Sequence, residues 1–205
     1  MIKAYNAKPW EVQAILDGRK KCTRRIVKIP NYIKKQDDGL YTLFAEGTCY
    51  ENQHFEEIIQ YLKKPYQPGD VIYVRETWCA LPVNEAGHMR GHSVYYYKAD
   101  GDLRPEGWRG NWHPSIHMPK EAARIWLKVT DVRVERLQDI TIDAIRNEGL
   151  SSMAVHAGDM EIALKEWEIL WNSTIKKSDR DRYGWDANPY VWAISFERCE
   201  KPEGV

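Results

Sequence analysis

Gly69-Asp70-Val71-Ile72-Tyr73-Val74-Arg75-Glu76-Thr77-Trp78 is the stretch from which the fold is read. Pro65, Pro68 and Gly69 punctuate the chain before it, and the residues that follow alternate in the way a strand does. Ile72, Val74, Glu76 and Trp78 share one face, and Val71, Tyr73, Arg75 and Thr77 share the other. Neighbouring side chains of a strand point to opposite faces. If the sheet closes on itself, either Arg75 or Glu76 therefore points inward, and a buried charge requires a partner or a chemical task.

Working outward, further strands are expected at 23–27, 93–99, 125–137 and 190–198. In the longest of them the apolar positions run 125, 127, 129 and then 132, 134. That change of phase near Thr130–Asp131 predicts a bulge or bend. Helices are expected at 9–17, opened by Pro9 and stopped by Gly18, at 139–147 and at 159–171. Phe55, Ile58, Ile59 and Leu62 repeat at helical spacing and predict another near 52–63. Residues 80–92 read as a loop. The whole pattern predicts one α+β domain over 1–205, a closed or nearly closed β-barrel flanked by short helices. It carries an insertion at 29–68, an aromatic loop at 100–123 and a helical insertion at 150–183.

Composition narrows the function classes. Lys and Arg together equal Asp and Glu at 30 each, so any grip on a polyanion must come from a local patch rather than overall charge. Nine Trp and twelve Tyr stand against three Phe. Aromatics with a polar handle suit half-wet positions and base stacking as well as core packing. Cys22, Cys49, Cys79 and Cys199 form no C-x-x-C pair. His113 and His117 are four apart, but Pro114 lies between them and no third ligand is evident, so no metal or other cofactor is expected. The first residues contain no apolar leader and no run reaches 18 apolar residues, so a cytoplasmic protein without a membrane segment is expected.

The densest charge lies in Gly18-Arg19-Lys20-Lys21-Cys22-Thr23-Arg24-Arg25. Six of the ten residues 19–28 are basic and none is acidic. Arg presents a planar fork and Lys a point charge to phosphate. The plainer alternative is a solvated basic edge that deters strand pairing.

Helix, then G-R-K-x-x-T-x-R at 18–25, then G-D-x-x-x-V-R-E-x-W at 69–78 resembles the ASCH domain family of PUA-like proteins. Residues 112–119, 132–140, 148–149 and 184–189 resemble a phage and prophage branch of it. The resemblance implies a PUA-like barrel with a cleft for RNA or a modified nucleoside or nucleotide. A small bacterial member of the wider family is an N4-acetylcytidine amidohydrolase, and carrying its motif over assigns Lys20, Thr23 and, by a looser alignment, Glu148 as the catalytic set. The basic run, the Arg75-Glu76-Trp78 strand and the aromatic loop add Arg19, Arg24, Arg25, Arg75, Glu76, Trp78, Trp112, Trp185 and Asn188 as candidate ligand-binding residues. In this reading Glu76 pairs with Lys20 or Arg25 and accepts from a cytosine amino group, Trp78 stacks on the base, and Trp108, Trp112 and Trp185 frame the cleft.

The chemistry is coherent. A Thr hydroxyl needs a base beside it, Lys20 would serve if neighbouring cations lowered its pKa, and Glu148 would protonate the leaving amine. Three readings stand open on sequence: an RNA- or nucleotide-binding module, a hydrolase (amidohydrolase or ribonuclease) on the same cleft, and a phage protein binding a host protein through its insertions.

Overall fold

The structure is a computed structural model that describes residues 1–45, 48–82, 93–107 and 110–204. Its main sheet takes β1 (Ile2–Asn6), β2 (Cys22–Ile26), β6 (Val71–Arg75), β9 (Trp126–Arg136) and β10 (Tyr190–Cys199) in the order β1-β6-β9-β10-β2. Only β1 and β6 pair in parallel. A small meander, β3 (Ile33–Lys35), β4 (Tyr41–Ala45) and β5 (Thr48–Gln53), and a hairpin, β7 (Trp78–Pro82) with β8 (Ser93–Tyr97), form separate sheets.

The helices are α1 (Pro9–Leu16), α2 (Phe55–Ile58), α3 (Ile142–Asn147), α4 (Met153–Ala157), α5 (Met160–Thr174) and α6 (Arg180–Tyr183). Among the described residues no helix is long and apolar enough to cross a membrane.

The α+β class follows the expected pattern, but none of the sheets closes into a barrel among the described residues. β1 and β2 remain edges. They meet through side chains instead, with the Arg25 guanidinium 4.8 Å from the centre of the Tyr5 ring. The chain leaves β1 straight into α1, and Glu11 of that helix accepts the Tyr5 hydroxyl proton. Side chains thus occupy the seam where a ladder would close the barrel.

The strand expected at 70–79 is two strands. β6 ends at Arg75, and Trp78 begins β7, which pairs with β8 in another sheet. The interruption coincides with Glu76, which is drawn under the surface by Arg124. The bulge expected near Thr130 is present: Ser195 faces Asp131 while Phe196 faces Val129, which leaves Thr130 unopposed.

The helix expected near 52–63 shrinks to one α turn and a 3-10 turn, because 48–53 pairs as β5. Residues 29–68 also share the main core. Ile33, Leu43, Phe55 and Ile58 are buried in one cluster with Ile72, Leu127 and Ile194.

The helix expected from 139 starts at Ile142, where the Thr141 hydroxyl accepts the Ala144 N–H at 3.3 Å. Within the segment expected as an aromatic loop, Ser115–His117 and Lys120–Ala122 form 3-10 turns, and 108–109 lie outside the described residues. Of the loop expected at 80–92, 80–82 belong to β7, and 83–92 lie outside the described residues.

Candidate functional site

The seam between the two edge strands holds a cavity of about 200 Å³. That is below the ≈ 300–1,000 Å³ of typical ligand pockets and suits one small group such as a nucleobase. Asn6 at the end of β1, Trp10 and Glu11 of α1, Lys20, Thr23, Arg24 and Arg25 along β2, and Glu148 after α3 all line it. Trp167 and Trp171, four residues apart on α5, close one side.

Lys20 reaches the cavity because α1 stops at Asp17 and the chain turns back. The Lys20 N–H donates to the Ala14 carbonyl at 2.8 Å, and the Lys21 N–H donates to the Asn147 carbonyl at 2.7 Å. The first bond ties residue 20 back to α1 and the second ties residue 21 to the end of α3, where Lys20 and Glu148 form a short antiparallel bridge.

Gly149 makes the approach possible. Its φ is +97°, and a Cβ there would lie 2.8 Å from the Ala14 Cβ and 3.1 Å from the Lys20 Cβ. Only glycine combines that backbone with that contact.

The polar network is dense. Lys20 Nζ donates to Glu148 Oε2 at 2.7 Å and to the Glu148 carbonyl at 3.0 Å, with Glu11 Oε1 3.6 Å away. Arg24 Nη1 donates to Glu148 Oε1 at 3.0 Å, while its Nε donates to Glu135 at 2.9 Å. Both Glu148 oxygens are therefore engaged by cations. Arg25 Nη1 donates to Thr23 Oγ1 at 2.9 Å. That hydroxyl has accepted one bond and retains its own proton to donate. Trp10 offers a ring face at the mouth, 37% exposed, with Lys20 Nζ 5.7 Å from its centre.

Electrostatics define what the site can do. Burial pulls the Lys20 ammonium down, but Glu148, Tyr5 and Glu11 together outweigh it and hold the group above its ordinary value. The sequence reading needed the opposite shift, because neighbouring cations lower a lysine pKa. The carboxylates reverse it, and Lys20 is a fixed cation in this geometry. Burial also pushes the adjacent Cys22 thiol up to about 11, so it is no ready nucleophile.

The other residues singled out in the sequence lie elsewhere. Glu76 does not pair with Lys20 or Arg25. It is 1% exposed and takes two bonds from Arg124, at 2.9 and 2.8 Å. Burial raises the Glu76 carboxyl, and Arg124 partly offsets that. Arg75 bonds the Tyr73 hydroxyl at 2.9 Å and the Ile116 carbonyl at 3.2 Å.

Trp78 packs against Tyr95 and His113. Trp112 lies under Arg104, and Trp185 packs beside the helical cluster. Asn188, at φ +41°, accepts the Gln138 N–H at 2.9 Å. None of these lines the cavity, so the aromatic frame is Trp10, Trp167 and Trp171 instead. Trp108 lies outside the described residues.

Arg19 borders a separate hollow and donates to the Gly149 carbonyl at 2.7 Å. Among the described residues no three His, Cys, Asp or Glu side chains gather as a metal site.

The sequence reading missed Tyr5, Trp10 and Glu11 as site residues. Trp10 and Glu11 were signalled by their place in the first turn of the helix that precedes the G-R-K-x-x-T run, and Tyr5 by its place in the segment leading into that helix.

No protein-family model matches the chain, and no curated protein matches it. Among solved structures it is similar to an ASCH domain from Lactobacillus crispatus JV V101, at 11% identity and a TM-score of 0.39 over 96% of this chain and 79% of that one. It is also similar to the hypothetical protein PH0355, at 13% identity and a TM-score of 0.37 over 97% of this chain and 100% of that one.

Proposed function

We infer that this chain binds RNA or a modified nucleoside or nucleotide, with one base-sized group lodged in the seam cavity. The observation that carries the reading is the meeting of Lys20, Thr23 and Glu148 with Trp10 in one small hollow. These residues come from segments more than a hundred positions apart. Trp10 supplies a face for stacking, worth about 1–3 kcal/mol per base. The Thr23 proton and the Lys20 ammonium supply donors for a carbonyl. Glu11, which lies 3.6 Å from Lys20, supplies an acceptor.

The ASCH-like motifs at 18–25 and 69–78 agree with this reading. The finer likeness to phage and prophage proteins rests on 112–119, 132–140, 148–149 and 184–189.

Titration calorimetry with cytidine and N4-acetylcytidine tests the proposal. Binding to the native protein, weakened at least tenfold by Lys20→Ala or by Trp10→Ala, supports it. Equal affinity in both variants, or no binding of any nucleoside or short RNA, overturns it.

A hydrolase is the second reading, and the same meeting of a hydroxyl, an amine and a carboxylate favours it. Lys20 is held protonated, so in this geometry a carboxylate would have to take the Thr23 proton. Release of cytidine and acetate from N4-acetylcytidine, or cleavage of an RNA oligonucleotide, lost in Thr23→Val, is the outcome that reading requires.

A further inference from the structure

A second and larger hollow, about 570 Å³, lies beyond the other end of β2. It is walled by the segment that leaves β2, by the meander, by the end of β9 and by the turn before β10. Its lining contains Lys34, Lys35, Arg136 and Arg182 and no Asp or Glu. In a chain with as many acids as bases, four cations from three separate segments around one concavity form a local positive field. None of the four makes an ion pair among the described residues. Lys34, Lys35 and Arg182 are exposed.

Aromatic faces accompany the charges. Phe55 and Tyr190 stack with ring centres 3.5 Å apart and planes within 4°. The Arg136 guanidinium lies over Tyr190 at 3.7 Å, and its Nη1 donates to the Asn188 carbonyl at 3.1 Å. That fork is thus held in place before any ligand arrives.

We propose that this groove is a track for single-stranded polynucleotide, gripping phosphates with Lys34, Lys35, Arg136 and Arg182, with the half-buried Tyr183 ring in its lining as a face for a base. An acidic peptide would satisfy the charges but would leave the neighbouring base-sized seam cavity empty. The four steps from Thr23 to Val27 span about 13 Å at the rise of a strand, so a strand with one base in the seam cavity reaches the groove within a few nucleotides. The proposal extends the nucleic-acid reading above, but its test separates the two sites.

The test compares the native protein with Lys34→Gln/Lys35→Gln/Arg182→Gln, three exposed positions, after confirming equal melting temperatures. The probes are fluorescent twelve-nucleotide RNA and DNA, a free nucleoside, and poly-glutamate as competitor. Each phosphate contact contributes about −0.7 to the slope of log K against log salt for a single strand, so four contacts predict about −2.8. Oligonucleotide affinity should fall about 50-fold between about 50 and 200 mM salt in the native protein, and the variant's slope should be shallower by about 2. Nucleoside binding should be unchanged. Equal loss for RNA and DNA marks a phosphate-and-stacking track, and loss for RNA alone marks a track that also reads the 2′-hydroxyl. Both outcomes support the proposal.

An unchanged slope in the variant overturns the groove while leaving the cavity reading intact. Poly-glutamate displacing the oligonucleotide at equal charge also overturns it, in favour of an acidic protein. Oligonucleotide binding that depends on the three cations, with no nucleoside binding at all, overturns the cavity reading and leaves the groove standing.

Discussion

The site turns on one carboxylate facing two cations. Lys20, Arg24 and Glu148 are each 3% exposed, and Glu148 answers both positive charges. Breaking a buried pair from one side leaves an uncompensated charge behind. Glu148→Gln is therefore expected to cost about 3 kcal/mol in urea unfolding and to abolish nucleoside binding. Gly149→Ala should cost about 2 kcal/mol, since it puts a side chain into a left-handed backbone position as well as against Ala14.

The sign of the Lys20 shift sets the pH behaviour. A lysine raised above its ordinary value contributes its stability fully below the unfolded value of about 10.4 and loses it as pH rises through the folded one. Affinity at the cavity should accordingly stay flat from about pH 6 to about pH 9 in a calorimetric series, as far as Lys20 governs it. A steep fall in that range would mean that Lys20 loses its proton there, contrary to its carboxylate surroundings.

Among the elements, the split between β6 and β7 is the most informative. Arg124 bridges Glu76 and Asp100 and lies 4.0 Å over the Tyr97 ring, so it fastens the β7–β8 hairpin to the main sheet. Arg124→Ala should destabilise by about 3 kcal/mol, because Glu76 stays buried without its partner. The double change Arg124→Ala/Glu76→Gln should recover much of that loss in the same unfolding assay.

This split also shows where sequence reading stops. Alternation from Val71 to Trp78 is unbroken, so periodicity alone reports one strand. The charge at Glu76 signalled a buried group but not its partner, which stands 48 positions away. The bulge at Thr130, by contrast, was legible, since a bulge shifts the apolar phase within its own strand. The meander was missed because Ile33, Tyr41 and Leu43 are spread over short strands with too few residues to show a period. At the site, Lys20 and Thr23 stand out within one motif, whereas Glu148 and the aromatic walls arrive through long-range packing that no local pattern encodes.

For the whole molecule, β1 is an edge strand laddered to β6, and Asp70 ties its first residues down through the Met1 amino group and Lys3. Burial pushes the Asp70 carboxyl up, but the bonds from Lys3 Nζ at 2.7 Å and the Gln67 N–H at 2.9 Å more than offset it and hold it at about 2. A depressed carboxylate contributes stability above its unfolded value of about 3.9. That contribution disappears as pH falls from about 4 through about 2. Acid titration followed by amide exchange should show β1 loosening in that window before the β9–β10 core, and Asp70→Asn should show the same loosening already at neutral pH.

One consequence follows from the way Tyr5 and Arg25 bridge the open edges. Parting two strands joined by a ladder means local unfolding, but here a single guanidinium leaving an aromatic face widens the gap. The same swing frees the Thr23 oxygen from its donor. Widening of the seam and release of the hydroxyl are therefore expected to go together, because one side chain holds both.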